Sequence, residues 1–322
     1  MKRLQRAVSG FANKKVLVVG DIMLDHYIYG AVERISPEAP VPVVRAVRDT
    51  YFLGGAANVA ANARALGART DLMGRIGYGD AAGQTVLCLL DDAKISRGKV
   101  FAHEAAHTIE KIRVASLSGH QLARIDREYA EPLMEDKEAV AIRLALRAIS
   151  WCDALIISDY NKGFITKRLA FALTRRAEEQ GKVMVVDTKP DHFDFFKCVT
   201  AIKPNKKEAE LLWGRPIKDN IDAEMAGKFL QQRSHSAIVL TRGADGVTVV
   251  KGFEVIHIPC VAQEVFDVIG AGDTITAVLA LGLALDLSIM EAATVANHAA
   301  GIVVSKAGTA TVTPRELRRS MA

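Results

Sequence analysis

The stretch Asp267-Val268-Ile269-Gly270-Ala271-Gly272-Asp273-Thr274, which runs into the apolar segment 275–285, carries the most chemistry in this chain. Two glycines let the backbone bend tightly where a helix begins, and the first amides of that helix point outward with the positive end of its dipole. Gly270, Ala271 and Gly272 therefore describe an anion hole. Asp273 falls in the first helical turn, beside whatever anion the amides hold. A carboxylate there repels phosphate, unless its task is to take a proton from the hydroxyl attacking that phosphate. The helix dipole is expected to lower its pKa and leave a weak base, which suffices where the transition state asks mainly for alignment and charge neutralisation. Taken alone, the same residues also describe an ordinary capped helix start.

The elements that must position this stretch can be read from periodicity. Short apolar runs at 16–19, 154–157, 183–186 and 237–240 each end in turn chemistry, and predict strands covered on both faces. Helical patterns occupy 55–66, 135–149, 166–180, 206–213 and 223–232. The alternation predicts an α/β fold with a mainly parallel central sheet and helices on both faces. Beyond the strands' carboxyl ends, where open sheets bind ligands, stand Asp21, Asp159, Asp187 and Thr241-Arg242-Gly243, although turns favour the same residue types. Segments 41–47, 108–116 and 120–125 show strand alternation with no helix between them. They predict a small antiparallel sheet over the large one, formed by segments near 24–50 and 105–127 of a single domain spanning 1–322. Its uncovered edges and face suit a lid or an oligomer interface.

Composition narrows the function. The 322 residues carry 42 Lys+Arg against 37 Asp+Glu, a net charge of +5, and the basic residues are scattered. The densest clusters, Lys203/Lys206/Lys207 and Arg315/Arg318/Arg319, are too short for a nucleic-acid footprint, while a small anionic substrate is compatible. The 275–285 run is too short to cross a bilayer and the N-terminus lacks a secretory pattern, so a cytoplasmic location is expected. Cys88, Cys152, Cys198 and Cys260 lie far apart and are read as buried thiols. No GxxxxGK[ST] occurs, since each Gly-Lys pair is followed by Val or Phe. No GxGxxG follows the first strand either, where Gly20 leads into Asp21-Ile22-Met23, and the protein-kinase motif set is absent.

Gly54-Gly55-Ala56-Ala57-Asn58, taken with the Asp267 to Asp273 stretch, resembles the two motifs of the ribokinase-like (PfkB) carbohydrate kinases. Asn205-Lys206-Lys207-Glu208 resembles that family's NxxE, and Thr241-Arg242-Gly243-Ala244-Asp245-Gly246 its TxGxxG. Val268 replaces the usual Thr of DTxGAGD, with GAGD intact, and the resemblance spans the chain. Gly20-Asp21-Ile22-Met23-Leu24-Asp25, the run RISPEAPVPV from Arg34, and Ser158-Asp159-Tyr160-Asn161-Lys162-Gly163 resemble the family's heptose 7-phosphate kinases of bacterial lipopolysaccharide-core precursor synthesis. Many of those are fused to an adenylyltransferase; this chain, ending at Ala322, resembles the stand-alone form.

The resemblance implies a ribokinase-like fold, ATP with Mg2+, a phosphosugar acceptor and a homodimer through the small sheet. It implies Asp273 as base beside the Gly270 to Gly272 amides, and Asp21, Asp25, Gly54, Gly55 and Asn58 around the sugar hydroxyls. Lys203, Asn205, Glu208, Thr241, Arg242, Gly243, Gly246 and Asn297 would face the nucleotide, with Glu208 reaching the metal through water. A phosphosugar needs cations away from the reacting hydroxyl: Lys162 and Lys189 each follow an inner strand and Arg124 sits on the small sheet, so the three are expected to converge over the sheet edge. The alternatives are a ribokinase-like kinase for a free sugar, phosphofructose or nucleoside, and a non-catalytic binding protein on the same scaffold.

Overall fold

Val16 and Val18 turn to one face of their strand, Leu17 and Val19 to the other, and all four are fully buried. A strand apolar on both sides needs helices on both sides, so the continuous runs become the middle layer of three. The computed structural model describes residues 2–104, 106–262, 265–306 and 308–322. Its strands are β1 (Lys15–Gly20), β2 (Ile22–Ile35), β3 (Pro42–Gly55), β4 (Arg69–Gly77), β5 (Ser96–His103), β6 (Ile109–Ser116), β7 (Gln121–Arg127), β8 (Ala154–Ser158), β9 (Val183–Asp187), β10 (Ala201–Ile202), β11 (Ala237–Thr241), β12 (Val247–Lys251) and β13 (Glu254–Ile258). Its helices are α1 (Lys2–Gly10), α2 (Ala56–Ala65), α3 (Ala81–Asp92), α4 (Glu135–Ile149), α5 (Lys167–Glu179), α6 (Lys206–Trp213), α7 (Asn220–Ser234), α8 (Ala271–Leu283), α9 (Ile289–Val303) and α10 (Pro314–Ser320).

Among the described residues nine strands form the large sheet, in the order β13-β12-β11-β10-β9-β8-β1-β4-β5. Pairings from β11 through β5 are parallel, and β12 and β13 add an antiparallel edge. The carboxyl ends of β1, β8, β9, β10 and β11 therefore lie side by side, and the residues just past or at those ends, Asp21, Asp159, Asp187, Lys203 and Arg242, share one edge. Helices α1, α2, α3, α8, α9 and α10 pack on the Val16/Val18 face, and α4 to α7 on the Leu17/Val19 face. The small residues of α2 (AANVAANARA) let it lie close against α8, which is buried from Asp273 to Gly282.

The small sheet runs β3-β2-β6-β7. Its β2/β3 and β6/β7 pairs are antiparallel, but β2/β6 is parallel, so the expected antiparallel sheet is mixed. The reason is connectivity: the chain passes through β3, α2, β4, α3 and β5 before reaching β6, a long crossover of the kind that parallel pairing requires. Residue 105, the expected start of its second segment, lies outside the described residues. Of the cysteines only Cys152 is buried; Cys88, Cys198 and Cys260 are exposed free thiols, which corrects the reading of four core cysteines. Cys88, for instance, falls on the outer side of α3, whose inward residues are Gly83, Val86 and Leu90. Among the described residues no helix is long and apolar enough to cross a membrane.

Gly20 ends β1 where it registers with Ser158, and a Cβ added there would stand 1.9 Å from the Ser158 carbonyl oxygen. Gly20→Ala must push β1 and β8 apart, and urea unfolding followed by circular dichroism is expected to show a loss of about 3 kcal/mol.

Candidate active site

Gly270 opens α8 at φ 80°, in the left-handed region, and a Cβ on it would stand 2.8 Å from Thr309 Cγ2 and 2.9 Å from Asn58 Nδ2. Both conformation and space demand glycine. The Thr274 N–H closes the first turn on the Gly270 carbonyl, and the amides before it have no carbonyl within the helix to meet. That turn carries Asp273 into a site where it is only 5% exposed.

The Asp273 carboxylate is held from two directions. Asn58 Nδ2, from α2, donates to Oδ2 at 2.7 Å, and the Tyr160 hydroxyl, from the loop after β8, donates to Oδ1 at 2.8 Å. Asn62 stands one turn further along α2, on the same face. Its Nδ2 donates to Asn58 Oδ1 at 3.1 Å, and its Oδ1 accepts the Thr274 hydroxyl at 2.9 Å. This chain of bonds turns the Asn58 amide nitrogen toward Asp273. Burial raises the Asp273 pKa to about 7; Asn58 opposes the rise, nearby Asp187 adds to it, and Tyr160 and Lys203 oppose it. The expected weak base is thus corrected: loss of solvent outweighs the helix dipole.

Beside Asp273 opens a cleft of ≈ 620 Å³ along the strands' carboxyl edge, lined by Asp187, Lys189, Lys203, Asn205, Glu208, Thr241, Arg242, Gly243, Gly270 and Gly272. Lys203 Nζ lies 2.9 Å from Asp187 Oδ2 and close to the helix start at Gly272. Burial alone would lower the Lys203 pKa, but Asp187 and Glu208 reverse that and raise it. Burial also raises the Asp187 carboxyl, against the pull of Lys203. Asn205 and Glu208 form the capping box of α6, each side chain bonded to the other's backbone N–H, and Glu208 Oε1 also accepts from Lys189 Nζ. Asn205-x-x-Glu208 is therefore a helix cap turned to the cleft.

Several expected site residues are placed elsewhere. Asp21 accepts the backbone N–H groups of Tyr160 and Lys162 at Oδ2 and of Phe164 at Oδ1, so its carboxylate builds the loop that presents Tyr160. Burial and the neighbouring Asp159 raise its pKa to about 6, against those three bonds. Asp25 accepts from Arg113 Nη1 and, at 3.2 Å, from the Thr309 hydroxyl, while Gly54 leaves room for it and Gly55 joins β3 to α2. The three cations expected to converge are each paired with a carboxylate: Arg124 with Asp126 on exposed β7 and Lys162 with Glu128, in one network that Lys111 bridges, and Lys189 with Glu208 inside the cleft. Gly246 shapes the turn into β12, packed against the Ile258 carbonyl, and does not line the cleft. Asn297 donates to the Pro259 carbonyl from buried α9 and does not line it either. Sequence reasoning missed Asn62, Arg113 and the Tyr160 hydroxyl; only Asn62 left a signal, standing i+4 from Asn58 on an otherwise alanine-rich helix.

Amides and an ammonium that hold phosphate next to a carboxylate able to accept a proton make a phosphoryl-transfer site. The profile of the pfkB family carbohydrate kinases matches residues 13–316, and the chain belongs to that family of ATP-using sugar kinases. It is 43% identical over 310 residues to the bifunctional protein HldE of Caulobacter vibrioides, covering 95% of this chain and 63% of that protein. To the bifunctional protein HldE of Desulfatibacillum aliphaticivorans it is 41% identical over 316 residues, covering 98% and 64%. The chain thus spans a little less than two thirds of the length of these curated relatives. Its fold is similar to that of Escherichia coli phosphofructokinase-2 in complex with potassium (TM-score 0.76, 21% identity, covering 95% of this chain and 97% of the other). It is also similar to that of Arabidopsis thaliana ribokinase complexed with ribose and ATP (TM-score 0.75, 19% identity, covering 96% and 98%). The fold is the ribokinase-like one anticipated from the motifs.

Because the folded protein binds the Asp273 proton more tightly than the unfolded chain does, this group's contribution to stability is full below about pH 4 and is lost as pH rises through about 7. Asp273→Asn removes the ionisation. Thermal and urea unfolding should show the variant more stable than the parent at pH 8, by on the order of 3 kcal/mol, with the advantage shrinking steadily toward pH 4.

Proposed function

We propose that this chain transfers the γ-phosphoryl group of ATP to the anomeric hydroxyl of D-glycero-D-manno-heptose 7-phosphate, giving the 1,7-bisphosphate. The kinase chemistry rests on one observation, a buried carboxylate held by Asn58 and Tyr160 in the first turn of a glycine-opened helix. The heptose reading is supported by the HldE relatives, which align with nearly the whole chain, and by the RISPEAPVPV run.

Asp273 takes the proton of the attacking hydroxyl while Asn58 and Tyr160 keep its lone pairs aimed and hold the ionised form ready. The Gly272 and Asp273 amides and the Lys203 ammonium would meet the charge that gathers on the transferred group, while the Ala271 N–H is turned to the Val268 carbonyl. Asp25, Gly54 and Gly55 border the sugar side, and Thr241, Arg242 and Gly243 the nucleotide side. Asp187 and Glu208 both line the cleft, a donor set suited to Mg2+, which binds through one or two carboxylates, water and phosphate oxygens. When bound, that ion would neutralise phosphate charge. The small sheet acts as lid and as the face of a homodimer, a role that fits its exposed Val32, Ile35, Val47 and Ile125. A monomer in light scattering would remove the dimer.

The deciding experiment offers a panel of phosphosugars and free sugars with ATP, scores ADP release, and identifies the product by phosphorus NMR. Asp273→Ala is expected to lose about 10³-fold or more in kcat with ATP binding retained, and an active variant would refute the mechanism. The kcat/KM profile should fall below about pH 7 as Asp273 is protonated. Tyr160→Phe removes a bond that lowers that pKa, so the acid limb should move to higher pH; a limb that stays put assigns the base elsewhere.

A further inference from the structure

Tyr27 is only 5% exposed, yet its hydroxyl has no hydrogen-bond partner among the described residues. Leaving a buried hydroxyl unpaired costs about 1–3 kcal/mol, so the group calls for a partner beyond the described residues. Tyr27 lines a cavity of ≈ 300 Å³ between the small sheet and the segment around Asp267 and Ile269. Arg48 lines it too, from β3, where it registers with Tyr29, and its guanidinium lies over the Tyr29 ring at 4.5 Å from the centroid. Arg113, the other cation of this cavity, is committed to Asp25, whereas Arg48 has no carboxylate partner among the described residues. Asp267, across the cavity, spends one oxygen on the Ile269 N–H.

The cavity also lies in the right direction. Asp25, Tyr27 and Tyr29 alternate along one face of β2, so Tyr27 stands about 7 Å and the Tyr29/Arg48 row about 13 Å beyond Asp25. A sugar with its reacting hydroxyl at Asp273 and its middle hydroxyls near Asp25 would extend its far end along this face.

We propose that this cavity receives the phosphate monoester at the far end of the sugar, with Arg48 supplying a fork of donors and Tyr27 a hydroxyl donor. The two residues then select a phosphosugar over a free sugar, whereas Arg124, Lys162 and Lys189 are each already paired with a carboxylate. The inference rests on the phosphosugar reading above and deepens it.

The test uses the full chain and compares kcat/KM for heptose 7-phosphate with that for the same heptose lacking the phosphate. The ratio should fall tenfold or more in Arg48→Ala and severalfold in Tyr27→Phe, through a higher KM for the phosphosugar. Arg48→Lys should restore only part, since an ammonium lacks the fork. Tyr27→Phe should keep or raise the melting temperature, because it deletes an unpaired buried hydroxyl, which separates lost recognition from lost folding. An unchanged ratio in both variants, or equal losses on the two sugars, overturns the proposal. If the parent enzyme turns over a different phosphosugar and not heptose 7-phosphate, the substrate reading falls and the same ratio on that sugar decides this one. If it accepts only free sugars, both fall.

Discussion

Everything in this site turns on keeping one carboxylate out of water yet able to ionise. Asp273 sits where burial favours its neutral form, and two donors, Asn58 and Tyr160, pull the other way. A balance near neutrality follows, the condition a proton acceptor needs at ordinary pH. Neither donor is local. Asn58 reaches Asp273 because α2 is built of small residues and lies close to α8, and its amide is turned by Asn62, which Thr274 anchors in its turn. Tyr160 reaches it because Asp21 gathers three backbone N–H groups of the following loop. Through that loop Asp21 fixes where the Tyr160 hydroxyl meets Asp273.

Charge in the rest of the cleft is arranged as pairs. Lys203 meets Asp187 and Lys189 meets Glu208, both at the carboxyl edge of the sheet. The first pair is buried and the second partly exposed, and desolvation or solvent screening offsets most of the attraction in each. Their effect here is to hold each cation in place with a carboxylate close by. On the far side of Asp273 the small sheet carries a different chemistry, tyrosine rings interleaved with guanidinium groups: Arg113 lies over Tyr27 and Arg48 over Tyr29. The two sides of the reacting centre are therefore chemically distinct.

Much of this organisation is legible in the residues. The runs 154–157 and 183–186 lie within β8 and β9, the patterns 135–149 and 206–213 coincide with α4 and α6, and Gly270 stands at the start of α8 as the glycine spacing requires. Strands with weaker apolar character escape such reading: β4 (RTDLMGRIG) and β5 (SRGKVFAH) mix charge and glycine with their apolar residues and become strands by pairing, β4 with β1 and β5 with β4. The parallel β2/β6 pairing also lay beyond reach, because alternation reports which residues share a face and is silent on which strand lies next door.

The sequence alone determined the layers, the polar residues that close the strands, the bend at Gly270 and the family, since these follow from local backbone preference, periodicity and contiguous motifs. Tertiary structure alone decided the ionisation of Asp273 and the fate of each cation. Asn58 and Asp273 are 215 residues apart, and Arg124, Lys162 and Lys189 each found a different carboxylate. Electrostatic energy depends on distance through space and on exclusion of water, and neither quantity exists until the chain has packed.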